Sequence, residues 1–147
     1  MKLVALFLLL LGTGACTTAT GPAPFVADRD PVLLPGGTWS LVQAAAAGGD
    51  VSTPRARLTA RFTADGRVGG RAGPNHYGGE YTAGGAGEIA LAGLVTTLIG
   101  GPEAEEAGEY LERMSRARSF EVTPGELRLH LPDGGWLHFR READTAG

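Results

Sequence analysis

The sequence predicts an α+β domain: an antiparallel, strongly curved β-sheet or small β-barrel of about eight strands, with one helix. Three observations predict it. Short runs in which apolar and polar residues alternate fill most of residues 37–142, the spacing of half-buried strands. One segment alone changes to apolar residues three and four apart. Glycine (24) and proline (9) are frequent enough in 147 residues to turn the chain between short elements. With 43 % apolar and 20 % charged residues the chain can build a core.

Residues 38–42 form a first strand, with Trp39 and Leu41 on one face, and residues 44–53 read as a loop. Leu58, Ala60 and Phe62 alternate with Thr59, Arg61 and Thr63. Asp65-Gly66 then signals a hairpin turn, because glycine accepts the positive φ such turns need. Val68 begins the return strand. Residues 80–82 and 88–91 are two more short strands, separated by glycine-rich sequence. Ala107, Tyr110, Leu111, Met114 and Ala117 mark one face of a helix over about 103–118, which Pro102 introduces. Glu103, Glu105 and Glu106 crowd its start, and Arg113, Arg116 and Arg118 its end, each sign favourable to the helix dipole. Phe120 and Val122, then Leu127, Leu129 and Leu131, then Leu137 and Phe139 complete the strands across turns at Pro124-Gly125 and Pro132-Asp133-Gly134-Gly135.

The N-terminus carries a different signal. Lys2, nine apolar residues at 3–11 and small residues up to Ala15 have the order of a secretory signal peptide, assigned to residues 1–15. Nine residues rise only ~14 Å as a helix, too short to span a bilayer. Thr13-Gly14-Ala15-Cys16 resembles the bacterial lipobox, although Thr13 stands where a larger aliphatic residue is usual. Lipidation at Cys16 is therefore expected; the alternative is ordinary signal cleavage nearby, leaving a soluble periplasmic protein or a free thiol. Thr17 after the cysteine points to the outer membrane by analogy with enterobacterial sorting. Residues 16–36, rich in Thr, Ala and Pro, read as a flexible tether; 37–142 form the domain and 143–147 a tail. As the only cysteine, Cys16 has no partner for a disulfide within the chain. The formal charge is −3, becoming −4 when Lys2 is removed, and no basic stripe suits nucleic acid.

Residues 37–41, 58–68 and 70–81 carry a family pattern, above all the Gly70-x-x-Gly73-x-Asn75-x-Tyr77-x-Gly79-x-Tyr81 run. With Thr97, the Tyr110-Leu111 helix and the closing strands, this resembles the META domain family of HslJ-like heat-shock proteins over about residues 36–142. The resemblance implies a periplasmic or surface domain, sometimes lipid-anchored, linked to stress or drug tolerance and without an established activity. Many members carry two cysteines where this chain has Pro74 and Gly101, so thiol chemistry there is lost. No catalytic residue is carried over by the family.

Residues 73–81 are the most sequence-specific patch. In the favoured reading its glycines allow tight backbone geometry, Asn75 bridges the turn, and Tyr77 and Tyr81 plug the barrel. In the alternative, Asn75, His76, Tyr77 and Tyr81 rim a ligand site, with an apolar small molecule in the barrel. Pairing Leu131 with Leu137 would set His130 opposite His138 on the polar face. Two imidazoles are short of the three or four ligands a stable zinc or copper site needs; Glu121 or Glu126 would have to complete it, which nothing in the spacing indicates, and two solvated histidines are the favoured reading. No Gly-x-Ser-x-Gly elbow or acid/base carboxylate pair is present. A hydrolase using His76 is the weakest alternative. The expectation is a non-enzymatic domain without cofactor that binds an envelope protein or a small molecule.

Overall fold

The computed structural model describes residues 28–143. Its strands are β1 (Thr38–Ala45), β2 (Val51–Ser52), β3 (Thr59–Phe62), β4 (Arg67–Ala72), β5 (Asn75–Ala83), β6 (Ile89–Thr96), β7 (Ser119–Val122), β8 (Glu126–His130) and β9 (Trp136–Arg141), with helix α1 (Ala104–Arg116) between β6 and β7. Eight of them form one antiparallel path, β6-β5-β4-β3-β1-β9-β8-β7, and the two-residue β2 pairs with β1. This is the expected curved α+β sheet. It curls until its edges touch: Glu88 bridges Ser119, the Ile89 N–H donates to the Arg118 carbonyl (3.0 Å) and the Phe120 N–H to the Gly87 carbonyl (2.8 Å).

The up-and-down path gives the sheet two ends. One holds the β3–β4, β5–β6 and β7–β8 turns and is here the entry end. The other, the helix end, holds the β4–β5 and β8–β9 turns and is crossed by α1, whose 13 residues span ~20 Å. Ala107, Tyr110 and Met114 bury the predicted helix face, with Leu111 half-buried at its margin. The helix is shorter than its apolar spacing suggests because Ala117 is extended (φ −56°, ψ 137°) and leads into β7. Between the ends, Trp39, Phe62, Phe120, Leu127, Leu129, Leu137 and Phe139 are all essentially buried and fill the interior.

Four sequence expectations change. Residues 44–53 are not a plain loop: Ala44 and Ala45 are buried in β1 and pair with Ser52 and Val51, around a turn with Gly48 and Gly49 at positive φ. β5 is a nine-residue strand rather than three, because Gly78 and Gly79 lie within it and β6 bulges against them. A Cβ on Gly79 would meet the Ala92 carbonyl oxygen at 2.7 Å.

The third change is register. Leu129, not Leu131, pairs with Leu137, and His130 faces Trp136 while His138 faces Arg128. The cause is the turn: the Leu131 N–H donates to the Gly135 carbonyl (2.9 Å) around a three-residue loop with Gly134 at φ +91°. The facing His130–His138 pair is thereby removed.

The fourth change concerns residues 28–36, assigned to the tether. Asp28 bridges Val122, residues Pro31–Leu33 form a 3₁₀ turn capped by Asp30, and Leu34 is fully buried. Leu34 joins the same buried cluster as Trp39, whose indole N–H donates to the Leu34 carbonyl (3.0 Å). The expected signal peptide and Cys16 lie outside the described residues.

Candidate functional site

The four residues singled out at 75–81 do not converge. Alternation along β5 sends Asn75 and Tyr77 inward at the helix end and leaves His76 exposed on the outer face. Tyr81 stands near the entry end, its ring edge-on to Phe62 at 4.9 Å and its hydroxyl donating to the Thr63 carbonyl (2.7 Å). Partial burial and the charge of Asp65 raise its pKa. It lines a shallow open hollow of about 420 Å³ with Pro31, Val32, Pro35, Ala64, Gly66 and Ala83.

Tyr77 belongs to a buried polar knot. Its hydroxyl and that of Tyr110 both lie within bonding distance of the Thr59 carbonyl oxygen (2.8 and 3.0 Å) and 3.0 Å from each other. That carbonyl is available because the β3–β4 ladder is interrupted there: the Arg71 N–H donates to the Thr59 hydroxyl (3.0 Å) instead. A Cβ on Gly70 would sit 2.2 Å from the same carbonyl oxygen, so only glycine fits against this break. Burial holds both phenol pKa values above the usual range, so both stay neutral hydrogen-bond donors. The knot ties α1 to the sheet.

Asn75, one of two buried polar residues among the described residues, fastens a loop. Its Nδ2 donates to the Ile99 carbonyl (3.0 Å), while its Oδ1 accepts from the Ile99 N–H (2.6 Å) and the Thr97 hydroxyl (2.9 Å). The Thr97 N–H donates to the His76 carbonyl (3.0 Å) and the His76 N–H to the Thr97 hydroxyl (3.1 Å). The side-chain amide thus stands in for a paired strand. What the loop displays is apolar: Leu98 is 93 % exposed and Ile99 55 %, and Val95, near the end of β6, is 72 % exposed. Beside them an open groove of about 240 Å³ runs along α1 at Ala104, Gly108 and Leu111. Sequence reasoning missed these residues, although Leu94-Val95 and Leu98-Ile99 around two threonines break the alternation of the preceding strand.

The histidines engage carboxylates separately. His130 Nε2 lies 2.9 Å from Glu121 and His138 Nε2 3.6 Å from Glu126, on the outer sheet face. Burial lowers the His138 pKa and Glu126 partly restores it. Arg128 stacks over Trp136 at 5.0 Å beside them. No group of three or more His, Cys, Asp or Glu suited to a metal gathers among the described residues, and none of their helices is long and apolar enough to cross a membrane.

The sequence model of the META domain family matches residues 32–144, the span that begins at the docked N-terminal turn and ends after β9. This chain belongs to the META domain family. Its fold is similar to the NMR structure of a protein from Burkholderia xenovorans, with 22 % identity, 86 % of this chain and 97 % of that one covered, and a TM-score of 0.69. It is also similar to the crystal structure of a DUF4847 family protein from Bacteroides vulgatus, with 16 % identity, coverage of 73 % and 93 %, and a TM-score of 0.58. At these identities the likeness is one of fold. No curated protein matches the chain in sequence. In this META domain the Gly-x-Asn-x-Tyr core of the motif builds structure: Gly73 turns the chain at φ +61°, Asn75 fastens the Thr97–Ile99 loop and Tyr77 anchors the helix.

Proposed function

We propose that this META domain is a non-enzymatic envelope module, tethered to the outer membrane through lipidated Cys16, that acts in stress or drug tolerance by binding another protein. The observation that carries the reading is the division of apolar side chains. The interior is filled by Trp39, Phe62, Phe120 and Phe139, while Val95 at the end of β6 and Leu98 and Ile99 on the fastened loop after it are exposed. A half-open pocket between α1 and β1, next to the core, measures only about 40 Å³, the size of a water or two rather than of a ligand. A domain with this distribution meets its partner on its surface.

Formaldehyde crosslinking of intact cells tests this. Discrete adducts heavier than the monomer are expected, and an intact mass of chain starting at Cys16 plus lipid. Monomer alone with a small molecule co-purifying in native mass spectrometry overturns protein binding in favour of a small-molecule carrier. Ester or peptide turnover abolished by His76→Ala overturns it in favour of a hydrolase.

A further inference from the structure

We infer that the surface made by the loop after β6 and the flank of α1 is a docking site for an amphipathic, basic segment of a partner protein. This deepens the protein-binding reading above and rests on it. Three large aliphatic side chains exposed within five positions are more than the scattered apolar residues of an ordinary surface. Their exposure is built in: Asn75 holds the Ile99 backbone from both sides, and the Thr97 N–H and Thr96 hydroxyl donate to the His76 carbonyl. A surface ordered beforehand loses less entropy on binding.

Gly108 is the second, independent observation. It sits mid-helix, where glycine costs about 1 kcal/mol relative to alanine. Nothing in the fold requires it there, since a Cβ at this position would meet no atom within 4 Å. Its effect is to keep the groove open between Ile99 and Leu111.

Charge selects the occupant. At 100° per residue, Glu105 and Glu112 lie on the solvent side of Gly108, and both are exposed. Glu112 pairs with Arg116 (3.3 Å), but Arg116 also binds Asp133 (2.6 Å), so that trio keeps a net negative charge beside Glu105. An acidic rim repels a second copy across a two-fold axis, where like patches face each other, and repels an anionic bilayer. It suits apolar side chains flanked by Lys or Arg.

The test titrates the mature chain, with Cys16→Ser in place of the lipidated residue, against two synthetic peptides that alternate leucine with lysine or with glutamate. The leucine–lysine peptide is expected to shift backbone amides of residues 95–101 and 104–112. Gly108→Leu, whose Cβ would meet no atom within 4 Å and whose side chain would occupy the groove, is expected to weaken it by about tenfold or more while circular dichroism stays that of the unaltered chain. Leu98→Glu should do the same, and Glu105→Lys with Glu112→Lys should reverse the peptide preference. Equal binding of both peptides, shifts elsewhere, indifference to Gly108→Leu, or self-association or capture by phosphatidylglycerol vesicles through residues 95–99 overturns the assignment. In intact cells, a crosslinked adduct that survives Gly108→Leu and Leu98→Glu leaves protein binding standing and removes this surface. No adduct with the unaltered chain removes protein binding itself.

Discussion

The two ends of the curled sheet are closed by different means around the same chemical device. At the entry end, a three-residue 3₁₀ turn drops Leu34 into the core and the Trp39 indole bonds its carbonyl. Arg141 then stacks over Trp39 at 4.2 Å and donates to the Leu33 carbonyl (2.7 Å). At the helix end, a 13-residue helix covers the opening and two tyrosine hydroxyls share the Thr59 carbonyl. In both, the polar tip of a buried aromatic side chain satisfies a carbonyl that no strand can reach. The difference lies in what each closure shows to solvent. The entry end presents one large exposed aliphatic, Val32, whereas the helix end presents Val95 at the end of β6 and Leu98 and Ile99 on the fastened loop after it. Closing an end by helix leaves a flank that can serve a partner; closing it by a short turn leaves little.

Substitutions can break this comparison in order of size. Trp39→Ala is expected to cost about 3–5 kcal/mol, measured by urea unfolding, since it empties a core site and orphans the Leu34 carbonyl. At the helix end, Tyr77→Phe and Tyr110→Phe should each cost about 1 kcal/mol, because one hydroxyl still serves the Thr59 carbonyl. The double variant should cost more than their sum, by about 1–3 kcal/mol, because the buried carbonyl is then unpaired. Strict additivity would mean the two phenols do not share that acceptor. Asn75→Ala should cost about 1–3 kcal/mol and speed hydrogen exchange of the Ile99 amide well before that of β8.

The smallest effect belongs to the wall between the ends. His138 has a lowered pKa in the folded protein, so the unfolded chain takes up its proton first as pH falls. Its contribution to stability is full above the unfolded value of about 6.5 and is lost on acidification through the folded value. Glu126→Gln, which removes the carboxylate that pulls this pKa up, should steepen the loss between neutral and mildly acidic pH, and His138→Gln should flatten it. A urea midpoint whose pH dependence neither change alters would contradict the assignment.

Much of this fold is legible in the sequence because its signals are local. The alternation at 58–62, 127–131 and 137–139 marks the strands, and the three-and-four spacing at 107–117 marks the helix face that is buried. Asp65-Gly66 turns as expected, with Gly66 at φ +86°. The candidate site was less legible. Asn75 and Tyr77 stood out, yet as a ligand rim; their partners, Ile99 and Tyr110, lie 24 and 33 residues away in sequence. No local pattern pairs an amide with a backbone so distant.

By itself, then, the sequence determined which residues face inward, where the chain turns and that a single helix interrupts the strands, since side-chain period and glycine placement act over a few residues. Only the tertiary structure decided the β8–β9 register, the burial of Leu34 in a stretch composed like a tether, the release of the Thr59 carbonyl and the outward display of Leu98. Each of these depends on which remote group claims a given hydrogen-bonding or apolar surface, a competition settled only when the sheet has closed.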